Sequence, residues 1–178
     1  NYMNLAMNFA FENRAVMLRK VKDIFSENVQ KFAGVTTEFS NEINCHHNYA
    51  SLENHFDKDV WVHRKGAVRV SEGELSIIPG AMGSFSYIVK GKGNPESFMS
   101  SSHGAGRKLS RTKAVETFSV ETVMTDLKKQ DVVLGKNNKS DVAEESRFAY
   151  KDIDVVMENQ KDLVEPVKKL FTVGVVKG

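Results

Sequence analysis

The chain has 178 residues, with 25 Lys and Arg against 23 Asp and Glu, so its formal net charge is +2. Its 40% hydrophobic and 27% charged residues are typical of a globular domain and exclude a disordered chain. The single cysteine, Cys45, excludes an internal disulfide and a zinc cluster built from cysteines, and no apolar run approaches the roughly 20 residues that cross a bilayer. We therefore expect one cytoplasmic domain without a membrane segment.

The first half of the chain predicts one long helix followed by several strands. Between residues 2 and 32, apolar side chains recur every three or four positions with charges between them, which indicates an amphipathic helix that Gly34 ends. From residue 36 to about residue 93, short β-type runs are separated by glycines, for example residues 59–63 and 85–89.

The second half predicts a different mixture of elements. We expect helices at residues 108–118, 120–129 and 149–159, a polar surface loop at 135–145 and a terminal strand at 170–176. The predicted fold class is therefore α+β, with central β-strands flanked by helices in a single domain over residues 1–178.

Positive charge is concentrated in residues 61–113, which hold nine Lys and Arg against three Glu. Such a segment could neutralise phosphates, because Lys and Arg displace counterions from a polyanion and Arg binds phosphate through its planar fork. The alternative is a solvated surface, and charge alone favours that alternative.

A short string at residues 100–111 combines small residues, cations and one histidine. An imidazole is mostly neutral near pH 7, so His103 has a lone pair that can attack phosphorus and form a labile P–N bond. The glycines after it leave room for a phosphate beside the backbone amides. If a helix begins just after Gly106, its N-terminus adds a positive field there, and Arg107 and Arg111 share one face. As a bare pattern, an ordinary turn is the alternative.

Histidines at other positions have a simpler interpretation. If residues 44–49 form a strand, His46 and His47 point to opposite faces, so at most one of them enters a site. A histidine hydrogen-bonded within a sheet is the expectation for His46, His55 and His63, and Cys45 is expected to be a small buried residue.

Six motifs in the same order as in a known family extend this pattern. The six motifs are His46-His47-Asn48-Tyr49, Arg64-Lys65-Gly66-Ala67, Ile78-Pro79-Gly80-Ala81-Met82-Gly83, Gly93-Asn94-Pro95-Glu96-Ser97-Phe98, the string around His103, and Val176-Lys177-Gly178. Asn8-Phe9-Ala10 in the first helix also matches the family. In these motifs the chain closely resembles the C-terminal part of the RtcB family, which are GTP- and manganese-dependent RNA ligases.

The resemblance implies a reaction for His103. In the family the matching histidine attacks the α-phosphate of GTP, releases pyrophosphate and becomes guanylylated. The guanylate then moves to an RNA 3′-phosphate to give RNA-(3′)pp(5′)G, and a 5′-hydroxyl displaces GMP and seals the strand, as in tRNA splicing and RNA repair. A 2′,3′-cyclic phosphate end is hydrolysed first. Capping supplies the leaving group that a bare 3′-phosphate lacks.

The resemblance also assigns roles to other residues. Arg107 would hold phosphate and His47 would be a manganese ligand. The residues expected to contact the guanylate are Asn48, Pro79, Gly80, Ala81, Met82, Ser86, His103, Gly104, Ala105, Gly106, Tyr150 and Lys177. For Tyr150, core packing is an equal alternative. Ala81 stands where a serine is usual, and one lost hydrogen bond of about 0.5 to 1.5 kcal/mol would weaken nucleotide binding severalfold.

The largest departure from the family is length. Family chains are more than twice as long, and their Asp, Cys and other His metal ligands, with an Asn-His-Phe motif, lie upstream of the part matched here. One histidine cannot hold manganese alone. We therefore expect a C-terminal portion, either cut from a longer protein or half of a split enzyme. Its expected partners are RNA ends, an upstream half and the family activator archease. The alternatives are an RNA-binding piece without catalysis and a metal-dependent phosphoesterase acting on cyclic phosphate ends.

Overall fold

The fold is α+β, as the sequence predicts. The computed structural model describes residues 2–40 and 42–177, so Gly178 of the last motif lies outside the described residues. The helices are α1 (Tyr2–Ala33), α2 (Arg111–Thr117), α3 (Val120–Lys129) and α4 (Ile153–Glu158). The strands are β1 (Asn48–His55), β2 (Lys58–Lys65), β3 (Ala67–Arg69), β4 (Leu75–Ile78), β5 (Ser86–Gly91), β6 (Ser100–Ser102), β7 (Val133–Gly135), β8 (Val164–Leu170) and β9 (Gly174–Val176). Short 3-10 helices lie at Pro95–Ser97, Val142–Glu145 and Arg147–Ala149.

Helix α1 ends where the sequence predicts. Gly34 has φ +67°, and its amide donates to the carbonyl of Gln30 at 3.1 Å. Glycine adopts this left-handed conformation without the steric cost of a Cβ, which makes it the usual residue after a helix. No residue of α1 is buried. None of the helices in the described part of the chain is long and apolar enough to span a membrane.

The strands form several small sheets rather than one central sheet. Strands β1 and β2 form an antiparallel hairpin, and β3 pairs with β6. A three-stranded antiparallel sheet has the order β4-β5-β8, and β7 pairs with β9 in parallel. Because β6 pairs with β3, the chain that follows β6 is placed beside the turn between β2 and β3. This pairing positions the loop that carries His103.

Two clusters of buried side chains form the core. The first cluster consists of Val68, Val70, Ile78, Tyr87, Val89, Ala105, Ile153, Met157 and Val164. The second consists of Met82, Val123, Leu127, Val132, Val142 and Ala143. The segment from Ile78 to Met82 therefore has one end in each cluster, which fixes the course of the intervening Pro79, Gly80 and Ala81.

A buried ionic network lies beneath the β1–β2 hairpin. The Arg64 side chain is 1% exposed, and its Nη2 donates to Glu53 Oε2 at 2.9 Å and to the Phe98 carbonyl at 2.8 Å. Its Nε donates to Ser100 Oγ at 2.9 Å, and its Nη1 to Tyr49 OH at 3.2 Å. A buried guanidinium needs such partners because desolvating an uncompensated charge is costly. Arg64 thereby ties β2 to β1 and β6.

The structure corrects the predicted start of the helix at residues 108–118. Helix α2 begins only at Arg111, where Ser110 accepts a hydrogen bond from the Lys113 amide as N-cap. The amides of Lys108 and Leu109 instead donate to the carbonyl of Ala149, at 3.0 and 3.2 Å. A partner far along the chain thus holds these residues outside the helix.

Three other predicted elements have different bounds. Residues 135–145 are not only a surface loop, because Val142 and Ala143 enter the second core cluster. The last helix begins at Ile153, after the N-cap Asp152, rather than at residue 149. The predicted terminal strand at 170–176 is instead the end of β8 followed by β9.

Candidate functional site

The loop that carries His103 is held at both ends by the backbone of other segments. The His103 amide donates to the Gly66 carbonyl at 3.3 Å, and the Ala105 amide donates to the Pro79 carbonyl at 3.0 Å. Gly66 has φ +78°, and a Cβ there would lie 3.4 Å from the His103 ring. A Cβ at Gly104 would lie 3.1 Å from the Pro79 oxygen. The glycines therefore permit close packing, and the imidazole itself stays exposed.

The two histidines singled out from the sequence lie side by side. The rings of His47 and His103 are stacked, with centroids 5.6 Å apart and planes at 20°. His46 turns away and packs between Phe11 and Tyr49, at 5.7 and 5.6 Å between ring centroids. That at most one of the adjacent histidines enters the site stays a prediction. The condition of a strand over residues 44–49 is not met for residues 44–47, because β1 begins at Asn48.

The surroundings of His103 favour its neutral form. Desolvation of its inner side lowers the pKa of His103 below the usual 6.5, and the neighbouring His47 imidazole lowers it further. An imidazole with a lowered pKa is unprotonated at neutral pH, so its lone pair is available to attack an electrophile.

A cavity of about 420 Å³ opens beside the paired histidines. His47, His103 and Pro79 line it together with Asn44 and Cys45, and helix α1 contributes Arg14. Arg14 was not singled out from the sequence, because the helical pattern only places it among the charged residues of an amphipathic helix. Cys45 is half-buried, with its Sγ 3.5 Å from Ser76 Oγ.

A chain of contacts leads from the His103 loop to the end of the described chain. Arg107 stacks over the Tyr150 ring at 4.8 Å and donates through Nη1 to Tyr150 OH at 3.1 Å. Tyr150 OH donates to Glu145 Oε2 at 2.9 Å, and Lys177 Nζ lies 3.3 Å from the same oxygen. The site residues predicted at Arg107, Tyr150 and Lys177 are thus brought together through Glu145, which the sequence did not indicate.

The ionisation of this group follows from its contacts. Burial acts to raise the pKa of Glu145, but the hydrogen bond from Tyr150 and the charge of Lys177 outweigh it and hold that pKa below its usual value. Burial and the same hydrogen bond raise the pKa of Tyr150. Glu145 is therefore a carboxylate at neutral pH, and Tyr150 keeps its proton.

The structure corrects the arrangement expected for the arginines. Arg107 forms an isolated β-bridge with Tyr150, so it does not share a helix face with Arg111. Its Nε and Nη1 donate to the carbonyls of Leu109 and Glu144, and its Nη2 is buried without a partner among the described residues. Most of its donors are therefore committed to protein acceptors.

The segment predicted to line the guanylate borders a second, smaller cavity of about 230 Å³. The Met82 amide donates to the Glu145 carbonyl at 3.1 Å, and both residues line this cavity with Lys177. The Gly80 amide donates to Ser86 Oγ at 3.1 Å, so the Ser86 hydroxyl fixes the turn that contains Ala81. Of the predicted site residues, His47, Pro79 and His103 line the cavity of about 420 Å³, whereas Met82 and Lys177 line the smaller one.

Asn48 lies next to His47 in the chain, at the first position of β1. It pairs with Lys65 across the hairpin, and its side chain is exposed. The described residues give it no side-chain hydrogen bond, so its expected contact with a nucleotide stays a prediction.

The residues present do not by themselves form a manganese site. Within residues 2–40 and 42–177, no three His, Cys, Asp or Glu side chains come close enough together to hold a metal ion. His47 and His103 supply imidazoles, but the residues lining their cavity include no carboxylate. Manganese prefers oxygen and imidazole ligands in a larger set, so further ligands would have to come from outside this chain.

Known proteins similar to this chain are RNA ligases. Residues 1–178 match the family described as tRNA-splicing ligase RtcB. RNA-splicing ligase RtcB of Escherichia coli (strain K12) is 45% identical over 97% of this chain and 42% of its own length. The tRNA-splicing ligase RtcB of Methanococcus maripaludis is 34% identical over 99% of this chain and 41% of its own length. RNA-splicing ligase RtcB of Mycobacterium tuberculosis is 34% identical over 99% of this chain and 44% of its own length.

The chain spans somewhat under half the length of these relatives, and the match runs through both cavities and the loop between them. A match of the whole chain to one family, at up to 45% identity among these relatives, agrees with the order of motifs in the sequence. This chain therefore belongs to the RtcB family of tRNA-splicing ligases.

Proposed function

We propose that this chain provides the nucleotide-binding and histidine-bearing part of a GTP-dependent RNA ligase. The ligase would join an RNA 3′-phosphate, or a 2′,3′-cyclic phosphate after hydrolysis, to a 5′-hydroxyl end. The observation that carries the proposal is the position of His103: its ring is exposed at a cavity, its loop is fixed by backbone hydrogen bonds, and its pKa is lowered. Membership of the family supports RNA as the substrate.

In the first step, neutral His103 attacks the α-phosphorus of GTP. An N–P bond forms while the bond from that phosphorus to the bridging oxygen breaks, so pyrophosphate leaves with the electron pair and the ring loses its N–H proton. An oxygen of the RNA 3′-phosphate then attacks the same phosphorus, the N–P bond breaks, and the departing imidazole takes up a proton from solvent. The 5′-hydroxyl finally attacks the 3′-phosphorus, and GMP leaves.

The contacts around Lys177 support guanine as the base. Glu145 presents a carboxylate acceptor and Lys177 an ammonium donor at the edge of the smaller cavity. Guanine carries donors at N1 and N2 beside an acceptor at O6, so such a pair complements one edge of the base. Tyr150, held by Arg107 and Glu145, borders the same group.

The test is covalent labelling of His103. The chain, supplied with the upstream part of a ligase and manganese, is incubated with GTP labelled at the α-phosphate. We expect acid-labile label on the wild type and none on His103→Ala, while His63→Ala, an exposed histidine of β2, labels normally. Label that survives in His103→Ala, or no label in any variant, would contradict the proposal.

A second candidate is an RNA-binding piece without catalysis of its own. It is favoured by one observation, that the described residues include no complete metal-binding group. In that case we expect salt-sensitive RNA binding, because phosphate contacts release counterions, and no labelling even when the upstream part is added. Archease and an upstream half remain predicted partners of the first candidate.

A further inference from the structure

The guanidinium of Arg14 has an unused donor group. Its Nε donates to Asn44 Oδ1 at 2.7 Å, but its Nη2 is buried with no hydrogen-bond partner among the described residues. Buried polar groups are nearly always hydrogen-bonded, and an arginine cannot lose its proton to avoid the cost of burial. Such a donor indicates an acceptor that the described residues do not provide.

The cavity that Arg14 lines contains the permanent positive charge of that arginine. It also contains the imidazoles of His47 and His103, and its lining residues include no Asp or Glu. Arg14 forms no ion pair with a carboxylate in the described part of the chain, where its side chain donates a hydrogen bond to Asn44. A permanent cation beside two imidazoles favours a bound anion with several acceptor oxygens.

We propose that Arg14 binds the phosphate that is transferred to and from His103. The proposal rests on the proposed function, because that chemistry places a phosphorus at bonding distance from the His103 ring. Arg14 and His103 line the same cavity, so a phosphate bound there would have both side chains in its wall. Arg14 thereby holds the phosphate oxygens, whereas the group around Lys177 holds the base.

The contact with Asn44 offers a structural role that the test must separate. The Asn44 side-chain amide also donates to the Phe11 carbonyl at 3.4 Å, so Arg14 and Asn44 together attach the segment before His47 to α1. A purely structural arginine would affect every ligand and the melting temperature. A phosphate-binding arginine affects only ligands that carry a phosphate.

The experiment compares the binding of GMP, guanosine and inorganic phosphate to the full chain by calorimetry. The variants are Arg14→Gln, Arg14→Lys, Asn44→Ala and the matched control Arg19→Gln, an exposed arginine of the same helix. We expect Arg14→Gln to weaken GMP and phosphate binding roughly tenfold or more, with guanosine unchanged, since a charge-assisted hydrogen bond is lost. Arg14→Lys should recover part of that loss, and Arg19→Gln should bind like the wild type.

Three binding results would overturn the assignment of Arg14. They are a GMP affinity of Arg14→Gln within twofold of wild type, an equal loss for guanosine and GMP in Arg14→Gln and Asn44→Ala, and no measurable binding of phosphate or GMP to the wild type. Normal labelling of His103 in Arg14→Gln would also overturn it while the proposed function stands. Conversely, Arg14-dependent GMP binding without any labelling of His103 would leave the phosphate site and refute the ligase step.

Discussion

Replacing Arg64 by alanine tests the ionic network beneath the β1–β2 hairpin. The substitution leaves Glu53 without its main counter-charge and removes one of the two donors to the Phe98 carbonyl, the other being the Ser100 hydroxyl, in a place where Arg64 is 1% exposed. Breaking a buried pair by removing one partner costs about 3 to 5 kcal/mol. We expect a loss of that size in the free energy of unfolding at pH 7, measured by urea denaturation.

The pH dependence of stability gives the same network a second test. The hydrogen bonds from Arg64 lower the pKa of Glu53 from 4.5 to about 2, although burial opposes this. A carboxyl with a lower pKa in the folded state stabilises the fold above the unfolded pKa, and this contribution is lost as the pH falls from about 4.5 towards 2. The full contribution is about 3 kcal/mol, of which roughly 1.5 kcal/mol should be lost between pH 7 and pH 3.5.

Two variants serve as controls for this prediction. Glu53→Gln keeps hydrogen-bonding atoms but cannot ionise there, so it should lose less stability on acidification than the wild type. Arg69→Ala removes an ion pair with Glu74 in which the Arg69 side chain is 51% exposed. This substitution should lower the free energy of unfolding by less than about 1 kcal/mol. The reasoning is refuted if Arg64→Ala costs no more than Arg69→Ala, or if it loses as much stability on acidification as the wild type.

Three further substitutions probe the candidate site. Gly80→Ala should strongly lower the melting temperature, because the added Cβ would lie 2.0 Å from the Phe85 carbonyl oxygen. A melting temperature within a few degrees of wild type would contradict the close approach of Gly80 to Phe85 in this turn. Ala81→Ser restores the hydroxyl usual in the family and should tighten GMP binding severalfold in a titration, since a hydrogen bond contributes about 0.5 to 1.5 kcal/mol; unchanged affinity would show that position 81 does not touch the nucleotide. Tyr150→Phe removes the hydrogen bond to Glu145 and should raise that carboxyl's pKa, which a ¹³C-detected NMR titration measures; an unchanged pKa would refute the assigned cause.

The spacing of residues along the sequence predicted those helices and strands whose stabilising contacts lie between residues close in sequence. Helix α1 follows from its spacing of apolar residues and from Gly34, and β2 and β5 cover the β-type runs at 59–63 and 85–89. The early start predicted for α2 was wrong because the competing partner, the Ala149 carbonyl, is distant in sequence. Strand β9 lies within the strand predicted at 170–176, whereas β7, which has three residues and pairs with β9, was not predicted because it is too short to carry a pattern.

The candidate site was predicted by resemblance more than by spacing. Nothing in the spacing of His47 and His103 indicates that their rings stack, and the contact arises because β6 pairs with β3 beside the turn at Gly66. Glu145 and Arg14 were missed for a physical reason. Sequence shows that a side chain is charged, but its desolvation and its partners depend on which segments fold against it.

The parallel pairing of β7 and β9 affects the order in which the parts of the candidate site fold. The Lys177 amide donates to the Gly135 carbonyl at 3.0 Å, so its position depends on a strand pair that bridges two separate parts of the sequence. During translation, the His103 loop leaves the ribosome well before Lys177 does. Contacts between distant segments also form late in folding. We therefore expect a nascent chain to place the His103 loop before it places Lys177.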